Sequence, residues 1–485
     1  MNGKLYHLNG LNGATGAPLL PPLGARDIVD WIEGASRRVE AADRLALRIL
    51  WEKEKDFSRG VLGVSHGVDP LDLEQARWAV VYPPDTPPEV RRALADLVAW
   101  RQGTELDYRA GESARAFRAR HGQGPGEVNP EKLPYYLLLV GSPEAISFKV
   151  QYGLDGQHAV GRLCFDETAD YRGYVDRLIA YEQASGTLRR ERAVAFFAPR
   201  HPEDEATESS WSELARPLAD AVEGKPLRTP EQGTVTWAVH RHLAADATRS
   251  AALDLLTRTE HRPSLLFTAT HGLGFPSGHE RQRRSQGALV CQDWPGPVAW
   301  PENKPIPDDI CLSGADVPAE ADLGGLVVFA FACYSAGTPR LEDFPHLQPK
   351  PPLEIAPAPF VSRLPQRLLA QGALAFLGHV ERAWDYSFLA LQGGRQIDTF
   401  QSTLEAILSG VRLGHAFEAI NQRYLDLARE VTDGEEDGLL HQYRLGEPTD
   451  PDELAQLWMA HNDARAYVLY GDPAARLRPA ALLPG

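Results

Sequence analysis

The sequence predicts an α/β fold in two successive, mostly parallel-sheet blocks, and three observations predict it. Apolar runs of strand length alternate with segments of helical period from about residue 74 to 200. The same alternation resumes at Thr234 and continues to the last strand-like run near residue 470. No apolar run approaches the ~18–20 residues that a membrane span requires, so no membrane partner is expected.

Residues 1–73 form an N-terminal extension of unassigned role, with one helix-like segment, ARDIVDWIEGASRRVEAADRLALRILWEKEK, flanked by Gly and Pro. The first block, residues 74–200, opens with the strand RWAVVYP. A helix follows, PPEVRRALADLVAWRQG, with prolines at its start and Gly103 at its end. Then come the strand YYLLLVG, the helix YRGYVDRLIAYEQASG and the strand RAVAFFAP. The second block, residues 201–485, reads TVTWAVH, the helix ADATRSAALDLLTRTE, and the strands SLLFTATHG and LGGLVVFAFACYSAG. The helix FVSRLPQRLLAQG, the strand ALAFLGHV, long helices over 399–430, a helix over 451–462 and RAYVLYG complete it. Pro339 to Phe360 carries too many prolines for a helix or a central strand and reads as a long loop.

Lys and Arg number 50 against 66 Asp and Glu, a net charge of −16, which argues against a broad grip on nucleic acid phosphates. The first residues, MNGKLYHLNGLNGATGAP, lack the apolar core of a secretion signal, so a cytoplasmic location is expected. Cys164, Cys291, Cys311 and Cys333 show no CxxC spacing, which suggests neither a metal site nor a disulfide framework. No cofactor is expected, and a calcium requirement is not indicated.

Two consecutive strands of the second block end in reactive residues: one in His271, the other in Cys333. In parallel sheets functional groups collect at the carboxyl ends of strands. A cysteine is only a few per cent thiolate at neutral pH, and a nearby histidine activates it as a nucleophile. Small residues follow each position, so the backbone N–H groups of Gly272 and Cys333 can meet a developing oxyanion. A lone strand-end cysteine or histidine is commonly a packing residue. The pair, each followed by a glycine-bearing turn, favours catalysis, whereas Cys164, Cys291 and Cys311 lack such framing.

These residues resemble the caspase-like (clan CD) cysteine peptidases, most closely the gingipain family. The likeness rests on YYLLLVGSPEAISF, DGQHAVGRLCFDETADYRGYVDRLIAYE, the THG and FACYSAG pair, and VLYGDPAARL, and covers roughly residues 74–476. The caspase signature places the histidine about 50 residues before a cysteine in Gln-Ala-Cys-x-Gly. Here the separation is 62 residues and the motif is Phe-Ala-Cys-Tyr-Ser.

The resemblance implies a caspase-like three-layer sandwich with two tandem subdomains, catalysis residing in the second. It implies an endopeptidase in which Cys333 attacks, His271 shuttles protons, and Gly272 and Cys333 hold the oxyanion. Asp155, in YGLDGQHAVGR, matches the acidic position that gives cleavage after Arg or Lys. Arg162 and Glu182 match positions of structural role. An acidic residue behind the histidine is also implied but has no placed counterpart.

His379 and Asp385 follow another strand end and could line the cleft, with packing the simpler role. The basic loop GHERQRRSQG reads most simply as a solvated loop, and with an acidic pocket its arginines would suit self-cleavage or occlusion of the cleft. Implied partners are a protein or peptide substrate and a regulatory protein, in a cytoplasmic, bacterial stress or defence setting. The alternative expectation is a catalytically silent scaffold that keeps the fold, and a third, weaker one is another thioester chemistry such as transfer.

Overall fold

A computed structural model describes residues 4–33, 63–230, 233–342, 353–390, 394–432 and 450–485. The principal strands, in chain order, begin with β1 (Leu8–Asn12), β2 (Trp78–Tyr82), β3 (Thr104–Asp107), β4 (Tyr136–Val140) and β5 (Ala159–Leu163). They continue with β6 (Glu191–Ala198), β7 (Ala238–Leu243), β8 (Pro263–Ala269), β9 (Gly272–Gly274) and β10 (Leu289–Val290). The last are β11 (Cys311–Leu312), β12 (Val327–Phe331), β13 (Ala375–His379), β14 (Ala383–Trp384) and β15 (Tyr467–Gly471). The helices that matter here are α1 (Pro88–Trp100), α2 (Phe148–Asp155), α3 (Thr168–Gln183), α4 (Arg249–Thr257), α5 (Arg363–Ala370) and α6 (Pro451–Arg465).

A single 10-stranded sheet, in the order β7-β6-β8-β12-β13-β15-β5-β4-β2-β3, runs through both blocks. Both faces are covered, which is why β2, β4 and β12 are continuous apolar runs and β8 a largely apolar one, each buried at every position. Neighbours are parallel except at one junction, where β13 meets β15 antiparallel. β15 is parallel to β5, so it joins the first block's strands to the second's. The two expected sheets are therefore halves of one, running in opposite directions.

Helix starts follow local chemistry. Pro88 occupies the first turn of α1, where its missing N–H costs nothing. Thr248 caps α4 by accepting from the Ala251 N–H, and Asp450 caps α6 from the Asp452 N–H.

The N-terminal extension differs from expectation. Only Ala25–Glu33 of its helix-like segment is a described helix, and residues 34–62 lie outside the described residues. Ahead of that helix, β1 enters a second sheet of order β11-β10-β9-β1-β14, whose other four strands all belong to the second block. Five residues containing Asn and Gly carry no strand periodicity of their own. Flanking strand edges supply the hydrogen bonds that make them a strand.

Of the expected Pro339–Phe360 loop, residues 343–352 lie outside the described residues. Its ends approach each other, Gly337–Thr338 pairing antiparallel with Phe360–Val361.

Candidate active site

β8 and β12 are parallel neighbours, with Ala269 opposite Phe331, so the residues leaving their carboxyl ends share one rim of the sheet. His271 leaves β8 and Cys333 leaves β12. The two turns are pressed together: a Cβ on Gly272 would fall 1.8 Å from the Cys333 carbonyl oxygen, so only glycine fits. Gly272 and Cys333, the pair expected to hold an oxyanion, thus stand backbone to backbone. The next residue, Tyr334, takes φ of 56°, a left-handed conformation uncommon outside glycine, and is held by its N–H to the Glu381 carbonyl at 2.7 Å.

The acidic partner of the histidine comes from a third strand end. β6 flanks β8 on the other side, and the loop after it carries His201 and Asp204. His271 Nε2 lies 2.7 Å from Asp204 Oδ2. Asp204 precedes a short helix, Glu205–Ser209, yet makes no side-chain cap to it, so its carboxylate is spent on the site. Glu203 before it has φ of 57°, a second strained residue beside the rim.

Thr207 Oγ1 donates to Asp204 Oδ2 at 2.6 Å, and His201 Nδ1 lies 3.7 Å from the same oxygen. The His201 and His271 rings stack 6.1 Å apart, with Trp294 edge-on to both. Burial works to raise the Asp204 carboxyl, but the pull of His271 and the His201 and Thr207 contacts prevails and holds it well below the usual carboxylate range.

Among the described residues, His201, Asp204 and His271 also offer three ligand atoms within 4.8 Å of one another. Asp204 Oδ2 is already hydrogen-bonded to His271 Nε2 and Thr207 Oγ1.

Cys333 is fully buried in the main hydrophobic cluster, and its sulfur meets backbone groups of two strands. Sγ donates to the Asn9 carbonyl of β1, and the Ala383 N–H of β14 donates to Sγ at 3.1 Å. Burial pushes the thiol up to about 12, against a smaller downward pull from the Ala383 N–H and from Arg382.

The remaining candidates have other partners. Asp155 ends α2 in the first block, buried, with neither carboxylate oxygen hydrogen-bonded to another side chain. Burial raises it well above the usual range, with Arg162 pulling the other way. The charged groups acting on the Cys333 sulfur are instead Arg382, Asp463 and Glu381.

Arg162 holds α2 and its preceding loop through Gln151 and the carbonyls of Gly141 and Ile146. Glu182 joins Arg101 and Asp472 in a buried network. Both are structural, as expected. His379 is wholly buried, its Nε2 3.1 Å from Asp463 Oδ1, a packing role. Asp385 is buried and pushed up to about 8 by desolvation, with Asp204 among the charges adding to the rise. The arginines of the basic loop pair with Asp308 and Asp166.

No protein-family model matches the chain, and no curated protein matches it. Among solved structures, one described as the structure of a protease aligns with 85% of this chain and 80% of its own, at a TM-score of 0.43 and 14% identity.

Proposed function

We propose that the chain is a cysteine endopeptidase with Cys333 as nucleophile, His271 as proton shuttle and Asp204 as the group that orients the imidazole. One observation carries this reading: His271 and Cys333 leave adjacent parallel strands at a joint so close that a Gly272 side chain is excluded, while a buried carboxylate backs the histidine.

A carboxylate only accepts, so Nε2 of His271 carries the proton in that hydrogen bond and Nδ1 keeps its lone pair. Nδ1 is buried with no hydrogen-bond partner among the described residues, the Cys333 thiol included, so the sulfur must leave the Asn9 carbonyl before Nδ1 can take its proton. The thiolate then attacks the peptide carbonyl carbon, and the oxyanion is met by the N–H groups of Gly272 and Cys333. Collapse breaks the C–N bond, and the imidazolium returns its proton to the leaving amine. Water, deprotonated by His271, cleaves the thioester, releasing a carboxylic acid and the free thiol. Cleavage after Arg or Lys through Asp155 finds no support in this geometry, since that carboxylate is buried beside Arg162.

The test is turnover of a peptide library by purified protein. Cys333→Ala and His271→Ala are each expected to abolish it; cleavage that survives Cys333→Ala would overturn the reading. A scaffold without turnover is favoured by the buried, elevated thiol, and predicts that Cys333 reacts with iodoacetamide no faster than a model thiol even when exposed.

A further inference from the structure

We propose that β1 is a built-in occupant of the substrate groove, a peptide-like strand that blocks Cys333 and seats Asn9 where the cleft takes the side chain before the scissile bond. The inference rests on the peptidase reading and deepens it, naming a substrate class and a means of restraint.

β1 lies between two edges of the second block. Gly10 pairs with Gly272, directly after the histidine, and Asn9 pairs with Ala383, whose N–H meets the Cys333 sulfur. Strands in a sheet lie ~4.8 Å apart, so without β1 these two edges leave a slot the width of one extended chain. Adding a strand to such edges is a general mode of peptide recognition.

The register places one peptide bond over the nucleophile. The Asn9 carbonyl accepts from Cys333 Sγ, and a Cβ on Gly10 would lie 3.0 Å from that sulfur. Asn9–Gly10 therefore stands in for the bond to be cut.

The Asn9 side chain is fully buried, and neither its amide oxygen nor its amide nitrogen has a partner among the described residues. An unsatisfied buried amide costs stability, so packing alone would favour an apolar residue here. An amide kept here without a partner marks a position not chosen for packing, in a pocket that admits a side chain of this size. β1 also contributes no strand to the 10-stranded sheet, so its departure leaves that sheet's ladder intact while uncovering Leu8 and Leu11. The substrate class is then an extended peptide with Asn, or a residue of its size and neutrality, before the cut bond and a small residue after it.

The test unseats β1 in the full chain by two independent substitutions. Leu11→Asp buries a carboxylate where Leu11 packs on Leu273 and Phe275, and Gly10→Val drives a side chain into Leu19 Cδ1, 2.4 Å from its Cβ. Iodoacetamide labelling of Cys333, read by peptide mass spectrometry, is expected to quicken roughly tenfold or more in each variant. Turnover of the library is expected to rise in parallel, with Asn preferred before the cut.

Labelling within twofold of the parent in variants that keep their circular dichroism overturns the blocking role. A cleavage profile without preference for Asn overturns the substrate class. A quickened thiol with no peptide cut by any form supports the blocking role and overturns the peptidase reading instead. Should both variants unfold, the parent decides: hydrogen exchange of residues 8–12 and labelling of Cys333 must share one opening rate. Labelling that outruns that exchange overturns the proposal.

Discussion

Asp204 Oδ2 sits 2.7 Å from Nε2 of His271, reaching across from a loop that begins at the neighbouring strand end. The contact fixes which imidazole nitrogen keeps its lone pair. Asp204→Asn is therefore expected to favour the wrong tautomer and cut kcat by ~10²–10⁴-fold with little change in KM. Steady-state kinetics on a library-derived peptide would show this, and an unchanged kcat would remove Asp204 from the mechanism.

The same carboxyl makes a pH prediction. Its folded pKa is depressed, so its stabilising contribution is present above the unfolded value near 4 and is lost as pH falls below it. Thermal melts of the parent should drop more steeply below pH 4 than those of Asp204→Asn.

Asp385 gives the opposite slope. Burial raises it to about 8, so the folded state holds a proton that the unfolded state has lost, and stability falls as pH rises from about 4 through 8. Asp385→Asn should flatten that fall and gain ~1–2 kcal/mol over the parent at pH 9, a few degrees in Tm. Equal slopes in differential scanning fluorimetry would show that Asp385 is not the group responsible.

Gly272→Ala is expected to destabilise the fold by about 1–3 kcal/mol and to abolish turnover, because the intruding Cβ meets backbone at Cys333, which has no rotamer by which to yield. Gly274→Ala provides the contrast: its Cβ would meet the flexible Leu19 and Tyr334 side chains, so a smaller loss is expected in urea melts.

Asp463 anchors the rim from below. Its Oδ1 accepts the Trp384 N–H at 2.7 Å and lies 3.1 Å from His379 Nε2, and its Oδ2 accepts from Ser387 Oγ. Asp463→Ala should cost about 3–5 kcal/mol by leaving those donors buried and unpaired. Chemical denaturation measures it; a loss below ~1 kcal/mol would mean that water replaces the carboxylate.

The central strands were legible because both their faces are buried, which writes β2, β4 and β12 as unbroken apolar runs and β8 and β13 as largely apolar ones. His271 and Cys333 were legible because each ends such a run. Asp204 was not: five polar or charged residues, Arg200, His201, Glu203, Asp204 and Glu205, follow β6 closely. Only the order β6-β8-β12 reveals that this loop borders the histidine. β1 was illegible for a different reason, since the two strands that flank it lie more than 250 residues away in sequence. TVTWAVH read as one strand but divides, Gly233–Val235 pairing with Leu227–Thr229 while β7 takes the sheet edge.

β15 follows every other strand of the 10-stranded sheet in sequence yet lies at its interior, between β13 and β5. A ribosome therefore finishes both halves before it makes the piece that welds them. Until then each half shows a bare inner edge, a template for adhesion to other nascent chains. A message cut short ahead of Tyr467 would yield clumped fragments rather than a stray active enzyme.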